Sequence, residues 1–272
     1  MRTKQSLLPL NFRLHLFELE DQPWFPHIFR QGMLDFLRFM ISKLGAYGPA
    51  IPLLEDLLRR SDQTHFTDLC SGAGGGIAGI REALSQRMGE PVRVTLSDRY
   101  PNIGAYEFLQ AESGGMIDFI ASPVDATNVP PQIKGVRTIF SSFHHFRPQQ
   151  AVAILQNAAD QRAPIGIFEG GGKTWAELII FLLTFPIIIL LVTPFIRPFK
   201  LSRLLFTYLI PIIPLGILWD GLVSLFRLYN PQMLDELLAR VDTPPGYTWR
   251  SGIVGSGPGK QVIYLLGYPV NK

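Results

Sequence analysis

Cysteine is almost absent from this chain: of 272 residues, only Cys70 carries a thiol. A single thiol excludes an intramolecular disulfide and a thiolate metal cluster, and it is consistent with a reducing compartment. Charge is close to balanced as well, 25 Lys and Arg against 22 Asp and Glu, with no long basic tract. So small an excess argues against a nucleic-acid partner, while a slightly basic surface suits contact with anionic lipid. Internal repeats and low-complexity tails are missing. Met1 to Leu19 lacks the continuous apolar core of a secretory signal, because Arg13, His15 and Glu18 break it. Histidines are few: His15, His27 and His65 are scattered and His144 and His145 are adjacent, so no metal-ligand spacing is legible and no metal is expected.

Glycine, in contrast, is concentrated in one place. Phe66-Thr67-Asp68-Leu69-Cys70-Ser71 runs as a short strand into Gly72-Ala73-Gly74-Gly75-Gly76, and Ile77 to Met88 reads as the helix that follows. Glycines admit backbone angles closed to other residues and leave room for a ligand, while the helix start offers unpaired amides to a negative group. Val92 to Asp98 reads as a second strand ending in a carboxylate, where Asp98 would hold both hydroxyls of a ribose. Read in a shifted frame, Gly74-Gly75-Gly76-Ile77-Ala78-Gly79 also satisfies dinucleotide spacing, so a nicotinamide-dependent oxidoreductase stays open.

The acid-plus-glycine pattern resembles the first motif of class I S-adenosylmethionine-dependent methyltransferases, with Asp68, Gly72, Gly74 and Gly76 in the motif positions. The likeness continues in order. Asp125 and Ala126, after Phe119 to Val124, occupy the positions that meet the adenine ring. Val136 to Phe146 resembles the strand and post-strand segment of small-molecule methyltransferases, which adds Ser141 to the cofactor set and makes His144 and His145 the candidate catalytic residues. Ile165 to Gly171 supplies a fifth strand with Glu169 at the same edge. Tyr247 to Val254 and Gln261 to Tyr268 read as a terminal hairpin. The resemblance implies a three-layer α/β/α Rossmann-like sheet, seven-stranded with an antiparallel terminal strand, and S-adenosyl-L-methionine as cofactor. A neutral-range imidazole would take a proton from the acceptor. A serine hydrolase fits poorly, since Ser141 and Ser142 lack a nucleophile elbow.

The length suits one catalytic domain with additions. Residues 1–60 are expected to form a helical cap, with an amphipathic helix over His27 to Leu44 and another over Leu53 to Arg60. Residues 61–272 form the methyltransferase-like domain, interrupted by a hydrophobic insertion at 176–219. Ala176 to Ile196 is apolar except for Glu177, and Leu204 to Trp219 has no charged residue. The second run is short for a crossing, and prolines at 186, 194, 211 and 214 are expected to interrupt regular helix. The insertion is therefore read as a peripheral or re-entrant membrane attachment on the cytoplasmic side, with Arg197, Lys200 and Arg203 near headgroups. Burial in a homodimer interface is the other account of so much apolar surface. Asp220 is expected to cap a returning helix, and Arg227 to anchor it by a salt bridge. The expected acceptor is a small hydrophobic or lipid-like molecule. A noncatalytic membrane-binding or assembly protein on the same fold is the reading from outside enzymology.

Overall fold

The computed structural model describes residues 10–257 and 260–270. Two helices open the chain, α1 (His27–Leu44) and α2 (Ile51–Arg60). The alternating core is β1 (His65–Asp68), α3 (Ile77–Met88), β2 (Arg93–Leu96), α4 (Ile103–Glu112), β3 (Ile117–Phe119), β4 (Val136–Phe140), α5 (Pro148–Asp160) and β5 (Ile165–Gly170). A helical excursion follows, α6 (Trp175–Val192), α7 (Leu201–Leu204) and α8 (Ile212–Arg227). It leads into α9 (Pro231–Leu238) and the hairpin of β6 (Tyr247–Val254) and β7 (Val262–Pro269).

The seven strands form one sheet in the order β3-β2-β1-β4-β5-β7-β6. β1 to β5 pair in parallel, and β7 runs antiparallel between β5 and β6. The parallel strands are short and largely buried because helices cover both faces, with Thr67, Asp68, Arg137 and Thr138 as buried polar side chains among the apolar ones. Leu54, Leu57, Ile80, Leu84 and Tyr106 of α2 to α4 cover one face against Phe66, Val94 and Phe168. Ala151, Ile154, Leu155, Leu234 and Leu237 of α5 and α9 cover the other against Ile139, Ile167 and Leu265. This is the expected seven-stranded sandwich with its antiparallel last strand. Reversal of strand order between β1 and β4 opens a crevice at the carboxyl ends of the strands, where open sheets bind ligands.

A third apolar cluster joins α1 to the excursion. Met33, Phe36 and Met40 of α1 pack on Ile189, Ile196, Ile213 and Ile217 of the excursion. Within residues 1–60, α2 packs on the sheet, and α1 packs on the insertion and, through Ile41, on the sheet cluster. Two expectations are corrected. Pro186 lies inside α6 without ending it, since a helix loses only one ladder bond there and continues. Asp220 caps no helix start: it sits within α8 and accepts from the backbone amides of Leu19 (2.6 Å) and Glu20 (3.0 Å), pinning the N-terminal segment. Arg227 does form the expected salt bridges, with Glu18 and Asp21, both at 3.1 Å.

The basic connection is also not where the sequence suggested. Arg203 is buried and bonds Asp35 of α1 at 2.7 Å, and Lys200 reaches the same carboxylate at 2.8 Å. Only Arg197 of the three remains exposed. Lys200 and Arg203, expected near headgroups, instead close the far end of the excursion onto α1, because a buried carboxylate requires a partner.

Candidate active site

Strain marks the carboxyl edge of the sheet. Cys70 after β1, Ser141 after β4 and Lys173 after β5 all hold positive φ, at 58°, 44° and 53°. Non-glycine residues persist there only when their surroundings hold them, and such positions gather at functional sites.

The glycine turn separates into two roles. A Cβ on Gly72 (φ +54°) would meet nothing within 4 Å, so this glycine faces open space. A Cβ on Gly74 would strike Leu109, and one on Gly76 would strike Ile41 of α1, both at positive φ. Gly74 and Gly76 are thus required by packing, and Gly72 is the one that leaves the crevice open. Asp98 lies beside it: its Oδ2 accepts from Gly72 N at 2.9 Å and its Oδ1 from Tyr100 N at 2.8 Å. Asp68 sits below, buried, with Oδ1 accepting from the Thr138 hydroxyl at 2.8 Å. Burial pushes its carboxyl up to about 7 against the pull of the hydroxyl bonds. Asp125 Oδ1 accepts from Thr127 N and Oγ1 at 2.9 and 2.7 Å, and these bonds lower its pKa. Ala126 is buried beside it. Ser141 bonds the Tyr47 hydroxyl, which the α1–α2 connection brings over the edge.

The histidines stand on a one-turn helix after β4, Phe143 to His145. His144 is buried, and its Nδ1 lies 2.7 Å from Glu169 Oε2 while its backbone N donates to Oε1 at 3.1 Å. A carboxylate only accepts, so the proton of the neutral ring sits on Nδ1 and the lone pair on Nε2. That Nε2 is buried and finds no hydrogen-bond partner among the described residues. His145 is half-buried, with Nδ1 3.3 Å from Asp21 Oδ2 and Nε2 3.5 Å from Glu18 Oε2. Burial works against its charge, but Asp21 and Glu18 outweigh it and the pKa rises. Burial pushes the Cys70 thiol up, which suits a packing role and not a nucleophile.

The structure brings Asp68, Gly72, Gly74, Gly76, Asp98, Asp125, Ala126, Ser141, His144 and His145, the residues singled out in the sequence, to one strand edge. Sequence reading missed Tyr47, Glu18 and the pairing of Asp21, in a segment read as able to line a pocket, with His145. Asp21 is 124 residues from His145, and no spacing rule connects them.

Glycine turn, crevice and strand order together define a class I S-adenosylmethionine-dependent methyltransferase-like fold, here carrying a hydrophobic helical insertion after the fifth strand. No protein-family model and no curated protein matches the sequence. Among solved structures, the chain is similar to the plantazolicin methyltransferase BpumL in complex with SAH. The TM-score is 0.58 with 11% identity, over 92% of this chain and 94% of that one. It is also similar to the N,N-8-amino-8-demethyl-D-riboflavin dimethyltransferase RosA from Streptomyces davawensis (TM-score 0.53, 17% identity, 93% of this chain, 62% of that chain). The CMeT domain of the citrinin polyketide synthase gives a TM-score of 0.52 with 11% identity, over 88% of this chain and 57% of that chain. The chain thus spans less than two thirds of the last two. At such identities what is shared is the fold.

Proposed function

We propose that this chain is an S-adenosylmethionine-dependent methyltransferase that acts on a small hydrophobic or lipid-like acceptor at the cytoplasmic surface of a membrane. The observation that carries the reading is the convergence, at one strand edge, of an open glycine turn, three carboxylates and a histidine with a bare, buried nitrogen. The methyl donor is cationic, and a buried carboxyl such as Asp68, raised to about 7 for want of a countercharge, fits a positive ligand. Gly72 leaves room for its amino-acid portion, Asp98 would hold the ribose, and Asp125 with Ala126 would meet the adenine. Bound there, the donor supplies an electrophilic methyl group.

On the acceptor side, Phe146 flanks the histidines with apolar surface, while Phe143 is buried in the core beneath them. His145, half-exposed, is the imidazole that the acceptor's heteroatom would reach and that would ease loss of its proton, while His144, buried and oriented by Glu169, stands behind it. Holding acceptor and donor in line contributes several kcal/mol more. The similar structures named above include two enzymes called methyltransferases and one bound to SAH, which supports the donor assignment over a nicotinamide dinucleotide. The antiparallel β7 supports it too, since an ordinary dinucleotide fold has no need of that strand.

Attachment to a membrane surface is supported by the excursion. One helix, Trp175–Phe195, is long and apolar enough to cross a membrane by length and composition, and the return is bent by 78° between Leu201–Leu209 and Ile212–Arg227. Both flanks enter one sheet, and the far end returns to α1, whose Arg38 and Ile41 lie against the glycine turn. A helix tied at both ends to the catalytic body fits lying in the interface better than crossing it.

Incubation of the detergent-purified chain with methyl-labelled donor and lipid and polar extracts tests the activity. A labelled product is expected from the wild type, with loss of both product and donor affinity in folded Asp98→Ala. Unchanged donor affinity in that variant, or preference for a nicotinamide dinucleotide in a parallel titration, overturns the assignment. Donor binding without any methylated product would favour a noncatalytic role.

A further inference from the structure

Glu18, His144 and His145 offer ligand atoms that all lie within 4.8 Å of one another. His144 Nε2 is 3.7 Å from Glu18 Oε1, and His145 Nε2 is 3.5 Å from Oε2. Bonds of about 2.0–2.2 Å from a tetrahedral ion put neighbouring ligands roughly 3.3–3.6 Å apart; the two distances run to different oxygens of Glu18 and the set spans up to 4.8 Å, so a modest inward turn of the side chains brings one oxygen and the two nitrogens onto one centre. We propose that this cluster is a binding site for a divalent transition-metal ion, held by His144 Nε2, His145 Nε2 and the Glu18 carboxylate.

Four observations support it. The buried His144 Nε2 carries a lone pair aimed into the cluster and has no partner among the described residues. Glu169 on Nδ1 of His144 is the carboxylate that metal-bound imidazoles characteristically carry, because it fixes the tautomer and makes the other nitrogen a better donor. Asp21 offers His145 a partner of the same kind but longer, its Oδ2 3.3 Å from Nδ1, at a nitrogen that the Arg227 guanidinium also approaches at 3.3 Å. Within Glu18 the oxygens are divided: Oε1 takes the Arg227 guanidinium at 3.1 Å and the Ser224 hydroxyl at 3.0 Å, and Oε2 accepts no hydrogen bond from a described residue.

Two cations stand nearby and set the limit on affinity. Arg227 also reaches Asp21 Oδ2 at 3.1 Å and His145 Nδ1 at 3.3 Å, and Arg13 bonds the carbonyls of His144 and Phe146. Against them stand the carboxylates of Glu18, Asp21 and Glu169, which leaves the cluster short of positive charge. Two imidazoles and one carboxylate suit a borderline ion such as Zn2+, not Mg2+, which prefers oxygen alone. Three protein ligands also leave a position open. Lying at the histidine end of the strand edge, it would receive the acceptor's heteroatom and lower its pKa, so that with both Nε2 lone pairs on the ion the metal, in place of the imidazoles, would ease loss of the acceptor's proton; the proposal rests on the methyltransferase reading of this site and changes which group activates the acceptor.

The site is tested by titrating chelator-treated, detergent-purified full-length protein with Zn2+ and, separately, Mg2+ in a calorimeter, with no methyl donor present. One Zn2+ per chain is expected, with Mg2+ far weaker. Glu169→Gln, which leaves the ligands in place, is expected to weaken Zn2+ by about 10–100-fold. His145→Gln is expected to lose the stoichiometric site. His145 is half-exposed, so that variant remains informative if Glu18→Gln, which also breaks the Arg227 pair, fails to fold; thermal melts check each preparation. Absence of stoichiometric Zn2+ in the wild type, or unchanged affinity in folded His145→Gln, overturns the site. Donor titration on the same samples separates the two readings. Zn2+ binding without donor binding would sink the methyltransferase and keep the metal, and the reverse result would do the opposite.

Discussion

Asp68 is a carboxylate buried without a cation, and that makes it a reporter of what binds above it. Its ordinary pKa of 3.8 is raised to about 7 in the folded chain, chiefly by burial. Below about pH 4 the group is protonated both folded and unfolded, and nothing is gained or lost. Between about pH 4 and 7 the folded chain keeps a proton that the unfolded chain gives up, so stability falls as pH rises. The loss is complete above about pH 7 and amounts to at most about 4 kcal/mol. A cationic methyl donor would reverse the shift. Binding at pH 7 is therefore expected to release about half a proton per chain, read as a dependence of the calorimetric heat on buffer ionisation enthalpy. Asp68→Asn should abolish that dependence and flatten the stability profile between pH 4 and 7. Heats independent of buffer in the wild type would mean that no positive group approaches Asp68.

The element that most departs from a plain sheet-and-helix domain is the pairing of α1 with the excursion. Asp35, buried in the middle of α1, accepts from Arg203 at 2.7 Å and Lys200 at 2.8 Å, and Arg203 also bonds the carbonyls of Ile196 and Pro198. Removing one partner of such a cluster strands the other charges in low dielectric. Asp35→Ala is expected to cost about 3–5 kcal/mol in urea unfolding. Adding Arg203→Met should recover part of that loss, because the stranded guanidinium is then gone. A cost under about 1 kcal/mol for Asp35→Ala would place the cluster in water and loosen the link between insertion and catalytic body. The same linkage makes excision of residues 176–219 a poor probe, since it would uncover Met33, Phe36 and Met40.

Across the whole molecule, apolar surface is concentrated on the excursion. Leu183 and Leu191 are each 66% exposed and Leu209 is 75% exposed. A patch of this kind marks a membrane or protein interface. The triple variant Leu183→Gln, Leu191→Gln, Leu209→Gln changes only uncovered side chains, so folding and donor affinity are expected to persist. Co-sedimentation with anionic vesicles should be lost in the variant and present in the wild type. A wild-type protein that is a soluble dimer without lipid, and that the variant renders monomeric, would instead assign the surface to a second copy of the chain.

Patterns local in sequence were legible without the fold, because helices, strands and turns answer to neighbours a few residues away. His27–Leu44, Ile77–Met88 and Tyr247–Val254 stand where the 3.6- and 2-residue periods put them. The same locality exposed the glycine turn, Asp98, Asp125 and the two histidines, each at the end of a strand whose polarity decides which edge it reaches. What depends on distant partners was not legible. Pairing of Glu18 and Asp21 with the histidines, of Asp35 with Arg203, and of Asp220 with the Leu19 amide arises because the N-terminal segment folds back along α8 and α1 along the excursion. Burial then decides the chemistry. A carboxylate that reads as solvated in sequence must find a donor once water is excluded, and only the tertiary packing determines which donor is within reach.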